Sequence, residues 1–341
     1  GHFAASSYDV VHDYEYHAIR NTAGLIDISP LFKYEVRGKD ALKLVNRVIT
    51  RDVAKCAVGQ AVYGCLCDGE GKVIQDGTVF RLGEDHFRFH LADPALRWLK
   101  LNAGGMSVSI DEVSEQIAAL ALQGPNALKI LTQIVDADLG KLKFFRLMLL
   151  DFAGVSVTIS RTGYTGEDGF EVYAPPDRAE QLWNKILDAG KTETPTGVLP
   201  CGLAARNTLR LEAGMALYGN ELDESTTLLE ANLGWICKLD KGDFIGREAL
   251  ARQKAEGVKR KLAGFEVIER GIARDHQDVV VDGQRVGTVT SGSPAPFLKK
   301  NIGFAYVPVE LAAVGQQIQI DVRGKLVGAQ VVKAPFYKRA K

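Results

Sequence analysis

The sequence predicts an α+β fold that ends in a small antiparallel β-barrel or sandwich. Three features predict it. Helix and strand patterns are interleaved from the start of the chain to about residue 252, and short strand patterns dominate after that point. The length of 341 residues is enough for two or three domains, each with its own core.

The first part of the chain alternates helix and strand patterns. Residues 13–26 have helical spacing, alternating side chains predict a strand at 31–37, and residues 40–49 form an amphipathic helix pattern. Two further alternating runs, at 59–67 and 72–82, flank the turn sequence Asp-Gly-Glu-Gly. These runs predict a β-hairpin.

The remaining elements follow the same reasoning. A strand at 87–91 and a helix at 94–101 come next, and a Gly-Pro break separates a strand at 118–121 from a helix at 126–135. Later strands and helices are predicted near 148–160, 171–174, 177–189 and 200–212. Beyond a basic, polar segment, strand patterns separated by turn residues predict the barrel: 262–267, 279–281, 284–290, 303–307, 317–322 and 325–332.

Composition favours a small-molecule ligand. Lys plus Arg number 42, as do Asp plus Glu, so no net charge steers the chain toward nucleic acid or an anionic membrane. No apolar stretch reaches the roughly 20 residues of a membrane span, and no signal peptide pattern is visible, so a cytoplasmic location is expected. The five cysteines lack paired zinc spacing, which predicts free thiols and no metal site.

The most unusual stretch is residues 161–171, Arg-Thr-Gly-Tyr-Thr-Gly-Glu-Asp-Gly-Phe-Glu. Three glycines among polar and aromatic side chains, directly after a predicted strand, allow a ligand to approach the backbone closely. A tight connection with solvated acids is the alternative. The stretch is not a phosphate loop, because it lacks both the Lys-Ser/Thr pair and the dinucleotide glycine spacing.

Two further patterns contain charged residues of the kind that bind ligands or take part in catalysis. Arg206 and Arg210 lie one turn apart on a predicted helix, where they suit either carboxylate binding or structural salt bridges. Asp76 lies within an otherwise apolar strand, where a carboxylate requires a partner or a function.

Together these segments resemble the glycine-cleavage T-protein family, the aminomethyltransferases, over nearly the whole chain. The resemblance rests on an ordered series of motifs rather than on one short pattern. The motifs are residues 27–29, 59–63, 121–125, 164–171, 205–214, 217–224, 241–248 and 289–294.

The resemblance implies a three-domain ring with tetrahydrofolate bound in its central channel. The implied folate-binding domain is discontinuous and comprises residues 1–40 plus 118–252. A ferredoxin-like α+β domain at 41–117 carries Asp76, and a C-terminal β-barrel domain spans 258–341.

Residue roles are also implied by the resemblance. Asp76 matches the acid near the reactive nitrogens of the folate, and Glu171 matches a carboxylate that reads the amino group and ring N–H of the pterin. Arg206 matches a folate-contacting arginine, and either it or Arg210 reaches the glutamate tail. The other implied folate contacts are Tyr63, Tyr164, Trp235 and Tyr337.

The implied activity is tetrahydrofolate-dependent one-carbon transfer, in which an ionised Asp76 stabilises developing positive charge. The identity of the molecule that donates the one-carbon unit stays undecided at this point. An aminomethyl group on a lipoyl carrier protein would make the chain an aminomethyltransferase, and a methylated small molecule would make it a demethylase.

Three departures from the family pattern bear on the donor. Gln75 replaces the first of two adjacent acids, Pro30 replaces a histidine, and Ala92 stands where the family has asparagine. All three belong to the donor side in the family fold. The nearby His90 and Asp93 suit contacts to the donor, but the preferred interpretation is a surface histidine beside a helix start and a helix cap.

The alternative to an enzyme is a non-catalytic folate-binding protein of the iron–sulphur cluster maintenance type. Such proteins carry a cysteine where this chain has Asp243, which argues against that alternative. A domain severed from a larger folate-linked dehydrogenase would need a dinucleotide fingerprint, and the sequence has none.

Overall fold

The computed structural model describes residues 4–193 and 197–339. The chain divides into two compact units. The N-terminal unit comprises Gly1–Gly64 and Gly77–Asn207, and the C-terminal unit comprises Cys65–Asp76 and Thr208–Lys341. The three domain ranges named above stay a prediction, and residues 1–3, 194–196 and 340–341 of those ranges lie outside the described residues.

Seven α-helices occur within the described ranges. They are α1 His12–Asn21, α2 Ala41–Val48, α3 Leu96–Asn102, α4 Ala127–Leu131, α5 Ala179–Glu193, α6 Leu203–Glu212 and α7 Arg247–Glu256. None of these described helices has the length and apolar character that crossing a membrane requires.

The strands are numbered in chain order. They are β1 Gly24–Asp27, β2 Phe32–Arg37, β3 Gln60–Cys67, β4 Val73–Gly83, β5 His86–Leu91, β6 Ser109–Glu112, β7 Ala118–Gln123, β8 Leu147–Phe152, β9 Val155–Ser160, β10 Gly169–Ala174, β11 Leu199–Pro200, β12 Arg260–Val267, β13 Asp278–Val281, β14 Gln284–Ala295, β15 Lys300–Pro308, β16 Gln317–Val322 and β17 Lys325–Val332. They form two open sheets and one closed barrel.

A six-stranded sheet in the order β11-β1-β7-β10-β9-β8 organises the N-terminal unit. Its core contains the fully buried side chains of Leu25, Leu122, Phe152 and Phe170. The prediction that one helix covers residues 13–26 is wrong beyond Asn21. The end of that segment is β1, which pairs antiparallel with β7 and parallel with β11.

A second sheet has the order β3-β4-β5-β2-β6 and contains the predicted hairpin. At the hairpin turn, Asp68 Oδ1 accepts the backbone N–H groups of Glu70 at 2.9 Å and Lys72 at 2.8 Å. The tip, Cys65–Asp76, belongs to the C-terminal unit, where the backbone N–H of Val73 donates to Thr226 O at 2.9 Å.

The C-terminal unit contains a closed antiparallel barrel in the order β12-β15-β14-β13-β16-β17. Phe265, Val289 and Ile320 are fully buried in its core. Each strand overlaps one of the six patterns read from the sequence, because short apolar runs bounded by turn residues mark strands of this kind. The predicted α+β class and C-terminal barrel are therefore confirmed.

Candidate active site

The glycine-rich loop, residues 161–171, ends at Glu171, and only one of the two carboxylate oxygens of Glu171 accepts hydrogen bonds from the protein. Glu171 and Tyr173 lie on one face of β10, since side chains two apart in a strand point the same way. Glu171 Oε2 accepts hydrogen bonds from the Tyr173 hydroxyl at 2.8 Å and from Thr162 Oγ1 at 2.5 Å. Oε1 has no partner among residues 4–193 and 197–339. One oxygen is thus fixed and the other can accept donors from a ligand.

The buried side chain of Gln123 fixes the course of this loop. Its Oε1 accepts the hydroxyl of Thr165 at 2.9 Å, and its Nε2 donates to the carbonyl oxygen of Thr162 at 3.2 Å. A Cβ at Gly163 would overlap Gln123 Oε1, and one at Gly169 would lie 2.5 Å from Nε2. Both positions therefore require glycine because the amide packs against them.

The two acids of the loop form ion pairs. Arg20 Nη1 lies 2.6 Å from Glu167 Oε1, and both side chains are buried. Arg161 Nε donates to Asp168 Oδ1 at 3.0 Å, and a second guanidinium nitrogen pairs with the other carboxylate oxygen. These acids hold the loop in place, so the alternative of solvated acids is wrong.

Tyr164 of the same loop contacts helix α6. The Arg206 guanidinium carbon lies 4.4 Å from the centroid of the Tyr164 ring, which is cation–π geometry. Both side chains are half-buried. The contact brings two of the predicted folate-contacting residues together within the N-terminal unit.

The second arginine of α6 is engaged inside the C-terminal unit. Arg210 is 1% exposed, and its Nη1 donates to Oε2 of the fully buried Glu221 at 2.6 Å. Its Nη2 donates to Ser291 Oγ at 2.7 Å. The structural salt bridge is therefore the correct interpretation of Arg210, which leaves Arg206 as the candidate for the glutamate tail of a folate.

Asp76 lies on β4 beside a buried glutamine. Gln75 is 2% exposed, whereas Asp76 is half-buried, because successive side chains of a strand point to opposite faces. Gln75 Oε1 accepts the backbone N–H of Asp76 at 3.1 Å. The strand thus places the amide of Gln75 in the interior and leaves Asp76 half-buried.

The other predicted site residues occupy both units. Trp235 is 56% exposed on a short 3₁₀ helix, Gly234–Ile236. Tyr337 meets the ring of Phe297 edge-on at 5.6 Å between centroids, and Tyr63 is half-buried on β3. Tyr63, Tyr164, Glu171 and Arg206 belong to the N-terminal unit, and Asp76, Trp235 and Tyr337 to the C-terminal unit. Their roles stay predictions.

His90 is not a surface side chain, so that interpretation was wrong. It is 4% exposed, and its ring centroid lies 4.3 Å from that of Phe80 and 4.7 Å from that of Tyr173. The prediction that Asp93 caps the next helix was also wrong. The N-cap residue of α3 is Ala95, and no side chain caps that helix.

All five cysteines are buried thiols, and none of them forms a disulfide. Burial raises the pKa of Cys56 to about 11 and holds that of Cys237 above its usual value. These thiols are therefore protonated near neutral pH. The described part of the chain contains no group of three or more His, Cys, Asp or Glu side chains arranged to hold a metal ion.

Two family models together match most of the chain. The model described as GCVT N-terminal domain matches residues 2–241, and the glycine cleavage T-protein C-terminal barrel domain matches residues 260–338. The chain belongs to the glycine cleavage T-protein family. The second match ends within the last residues of the chain and includes all six strands of the barrel.

Curated relatives of this T-protein family member are similar over almost its full length. The aminomethyltransferase of Caldanaerobacter subterraneus subsp. tengcongensis is 45% identical over 330 residues, covering 95% of this chain and 87% of the relative. That of Desulfitobacterium hafniense is 44% identical over 329 residues, covering 95% and 89%. The crystal structure of glycine cleavage system aminomethyltransferase T from Bartonella henselae matches with a TM-score of 0.91 at 30% identity, covering 99% and 94%.

These comparisons confirm that the chain is an enzyme, a one-carbon transferase of the T-protein family. The relatives named above are all aminomethyltransferases. No finding favours the non-catalytic alternative.

Three residues that shape the site of this T-protein family member were not predicted. Tyr173 could have been found, because it lies two residues after Glu171 in a predicted strand and must share its face. Gln123 gave no such signal, since its hydrogen bonds join separate segments, and Thr162 lies in the same stretch as Glu171 but at a spacing that predicts no contact. Only the folded backbone brings those segments together.

Proposed function

We propose that this chain is a tetrahydrofolate-dependent aminomethyltransferase that takes its one-carbon unit from an aminomethyl group on a lipoyl carrier protein. The family and the two aminomethyltransferase relatives support the reaction class. The observation that carries the proposal is the carboxylate of Glu171, with one anchored oxygen and one open oxygen. The cytoplasm is the proposed location.

The side chains of the N-terminal unit fit a reduced folate chemically. A pterin presents an amino group and a ring N–H as neighbouring donors, and the open oxygen of Glu171 accepts such donors. Arg206 offers a planar set of donors suited to the carboxylates of a glutamate tail. Tyr164 provides a flat aromatic face for ring packing. Further proposed contacts are Tyr63, Trp235 and Tyr337.

The proposed catalytic role of Asp76 is electrostatic. When bound, tetrahydrofolate would supply the two nitrogens that hold the carbon unit as methylene, while the amino group departs as ammonia and the lipoyl sulphur as a thiol. Asp76 stabilises the positive charge that develops as the carbon leaves its donor, and a fixed carboxylate does so without reorganising solvent. Gln75 Oε1 accepts the backbone N–H of Asp76, next to the proposed reacting group. Besides this electrostatic effect, the protein contributes to catalysis by orienting the folate through Glu171.

A second candidate is demethylation of a small methylated molecule. It keeps tetrahydrofolate and Asp76 but replaces the carrier protein as donor. The departures at Gln75, Pro30 and Ala92 favour it, because they alter the residues assigned to the donor side. Gln75 in particular replaces an acid with a neutral amide at a buried position, 2% exposed.

The two candidates are separated by the donor that the purified protein uses. The protein is first titrated with tetrahydrofolate and then supplied with an aminomethyl-lipoyl carrier, methylated amines, thioethers and aryl methyl ethers in turn. We expect methylene-tetrahydrofolate from the carrier. Formation of methyl-tetrahydrofolate from a small donor alone would select the demethylase, and a protein that does not bind tetrahydrofolate would refute both candidates.

A further inference from the structure

His90 is a buried polar side chain to which the proposed mechanism gives no role. It is 4% exposed, and neither Nδ1 nor Nε2 has a hydrogen-bond partner among the described residues. Buried polar groups are nearly always hydrogen-bonded, and an unsatisfied one destabilises the fold. Stability alone would therefore favour an apolar side chain at this position.

The imidazole is one member of a triangle of rings in the N-terminal unit. Its centroid lies 4.3 Å from that of Phe80 and 4.7 Å from that of Tyr173. The Phe80 and Tyr173 rings meet edge-on at 5.3 Å. Tyr173 is 3% exposed, so its ring cannot turn unless one of these neighbours moves. His90 and Phe80 thus restrict the Tyr173 ring, whose hydroxyl also hydrogen-bonds with Ser160.

The hydroxyl of the restricted Tyr173 ring contacts the carboxylate of Glu171. Its hydroxyl donates to Glu171 Oε2 at 2.8 Å, and Thr162 Oγ1 donates to the same atom at 2.5 Å. Hydrogen bonds weaken steeply as they lengthen or bend. A small rotation of the Tyr173 ring would therefore free one side of the carboxylate and change where Oε1 points.

We propose that His90 is a positioning residue, which holds Tyr173 so that Tyr173 orients Glu171 toward the donors of the pterin. The inference rests on the proposed function, because it takes Glu171 as the folate-reading carboxylate. The imidazole is neutral near neutral pH, since burial and the positive charges of Arg88 and Lys33 hold the pKa of His90 well below its usual range. It adds no competing cation beside Glu171.

The test compares stability with folate affinity in His90→Leu. This substitution removes the flat ring and both unsatisfied nitrogens but keeps a side chain of similar size. We expect the thermal unfolding midpoint of the ligand-free protein to stay the same or rise. We expect the Kd for tetrahydrofolate, measured by calorimetric titration, to rise roughly tenfold, the effect of one hydrogen bond to a charged group.

A double-mutant cycle tests whether the effect passes through Tyr173. Tyr173→Phe removes the hydroxyl that contacts Glu171 and should raise the Kd by itself. Adding His90→Leu to it should raise the Kd no further. His86→Leu is the matched control, because His86 lies on the same strand but contacts Glu35, and it should leave the Kd unchanged.

Several results would overturn this inference. The Kd of His90→Leu could equal that of the wild type, its affinity and unfolding midpoint could fall together, or the effects of His90→Leu and Tyr173→Phe could add. If the wild-type protein itself does not bind tetrahydrofolate, the proposed function and the inference both fail. The wild-type titration therefore distinguishes the two failures.

Discussion

Among single residues, Lys33 illustrates how this chain places a charge inside its fold. Its side chain is fully buried, and Nζ donates to the carbonyl oxygens of Ser29 at 2.9 Å and Leu31 at 2.8 Å. The ammonium thus holds the turn between β1 and β2. Burial lowers the pKa of Lys33 to about 8, and the negative charge of Asp27 opposes that shift.

The lowered pKa of Lys33 predicts a pH-dependent stability difference between the wild type and Lys33→Met. Between about pH 8 and the ordinary lysine value of 10.5, the folded protein has lost this proton while the unfolded chain keeps it. The unfolding free energy of the wild type should therefore rise with pH relative to the variant. Urea titrations across this range measure the difference, and a constant difference would contradict the assignment.

The two arginines of α6 should differ sharply in their effect on stability. Arg210→Met leaves Glu221 buried without its partner and should lower the unfolding free energy by about 3–5 kcal/mol. Arg206→Met removes a half-buried cation–π contact with Tyr164 and should lower it by about 1 kcal/mol or less. Urea denaturation of both variants measures this. Equal losses would contradict the buried ion pair.

At the scale of secondary structure, Gln123 of β7 packs against the glycine-rich loop. This packing predicts that a larger residue at Gly163 destabilises the fold. Gly163→Ala should lower the unfolding free energy by about 1–3 kcal/mol, because the added Cβ would overlap Gln123 Oε1. The loss should shrink in a Gln123→Ala background, where the overlapping atoms are gone. Gly104→Ala is the matched control, since nothing lies within 4 Å of its Cβ position.

Thermal and urea unfolding of these variants measure the coupling between Gly163 and Gln123. An equal cost of Gly163→Ala in both backgrounds would show that the glycine is required for another reason. A cost for Gly104→Ala as large as that for Gly163→Ala would indicate a general effect of the added methyl group.

The sequence predicted the elements that carry a regular apolar pattern and missed those that do not. The hairpin β3–β4 and all six barrel strands were predicted, since each is a short, largely apolar run bounded by turn residues. Helix α7 was missed because it is polar on nearly all sides, with Leu250 as its buried residue. The two-residue strand β11 was missed because its pairing with β1 depends on tertiary structure.

Across the whole molecule, the predicted folate and catalytic residues come from widely separated segments in both units. Composition and periodicity could not identify these residues, whereas the ordered family motifs did. What the motifs did not predict is the support of Glu171, namely Thr162, Tyr173 and the ring of His90. Tyr173 shares a face of β10 with Glu171 and has a local signal, whereas the contact of His90 arises from packing between separate strands, for which a single sequence has no local pattern.

The proposed function depends above all on transfer of a one-carbon unit to tetrahydrofolate with Asp76 at the reacting centre. Its sharpest test compares folate-dependent turnover of Asp76→Asn with that of Asp68→Asn, a matched change in the turn of the same hairpin. The amide oxygen introduced by Asp68→Asn would still accept the turn hydrogen bonds, so wild-type turnover is expected of that control.

For Asp76→Asn, we expect a loss of roughly 100-fold or more in kcat, with little change in the Kd for tetrahydrofolate. Turnover is followed as methylene- or methyl-tetrahydrofolate formed from the donor that the wild type uses. Full turnover by Asp76→Asn would contradict the proposed role of this carboxylate.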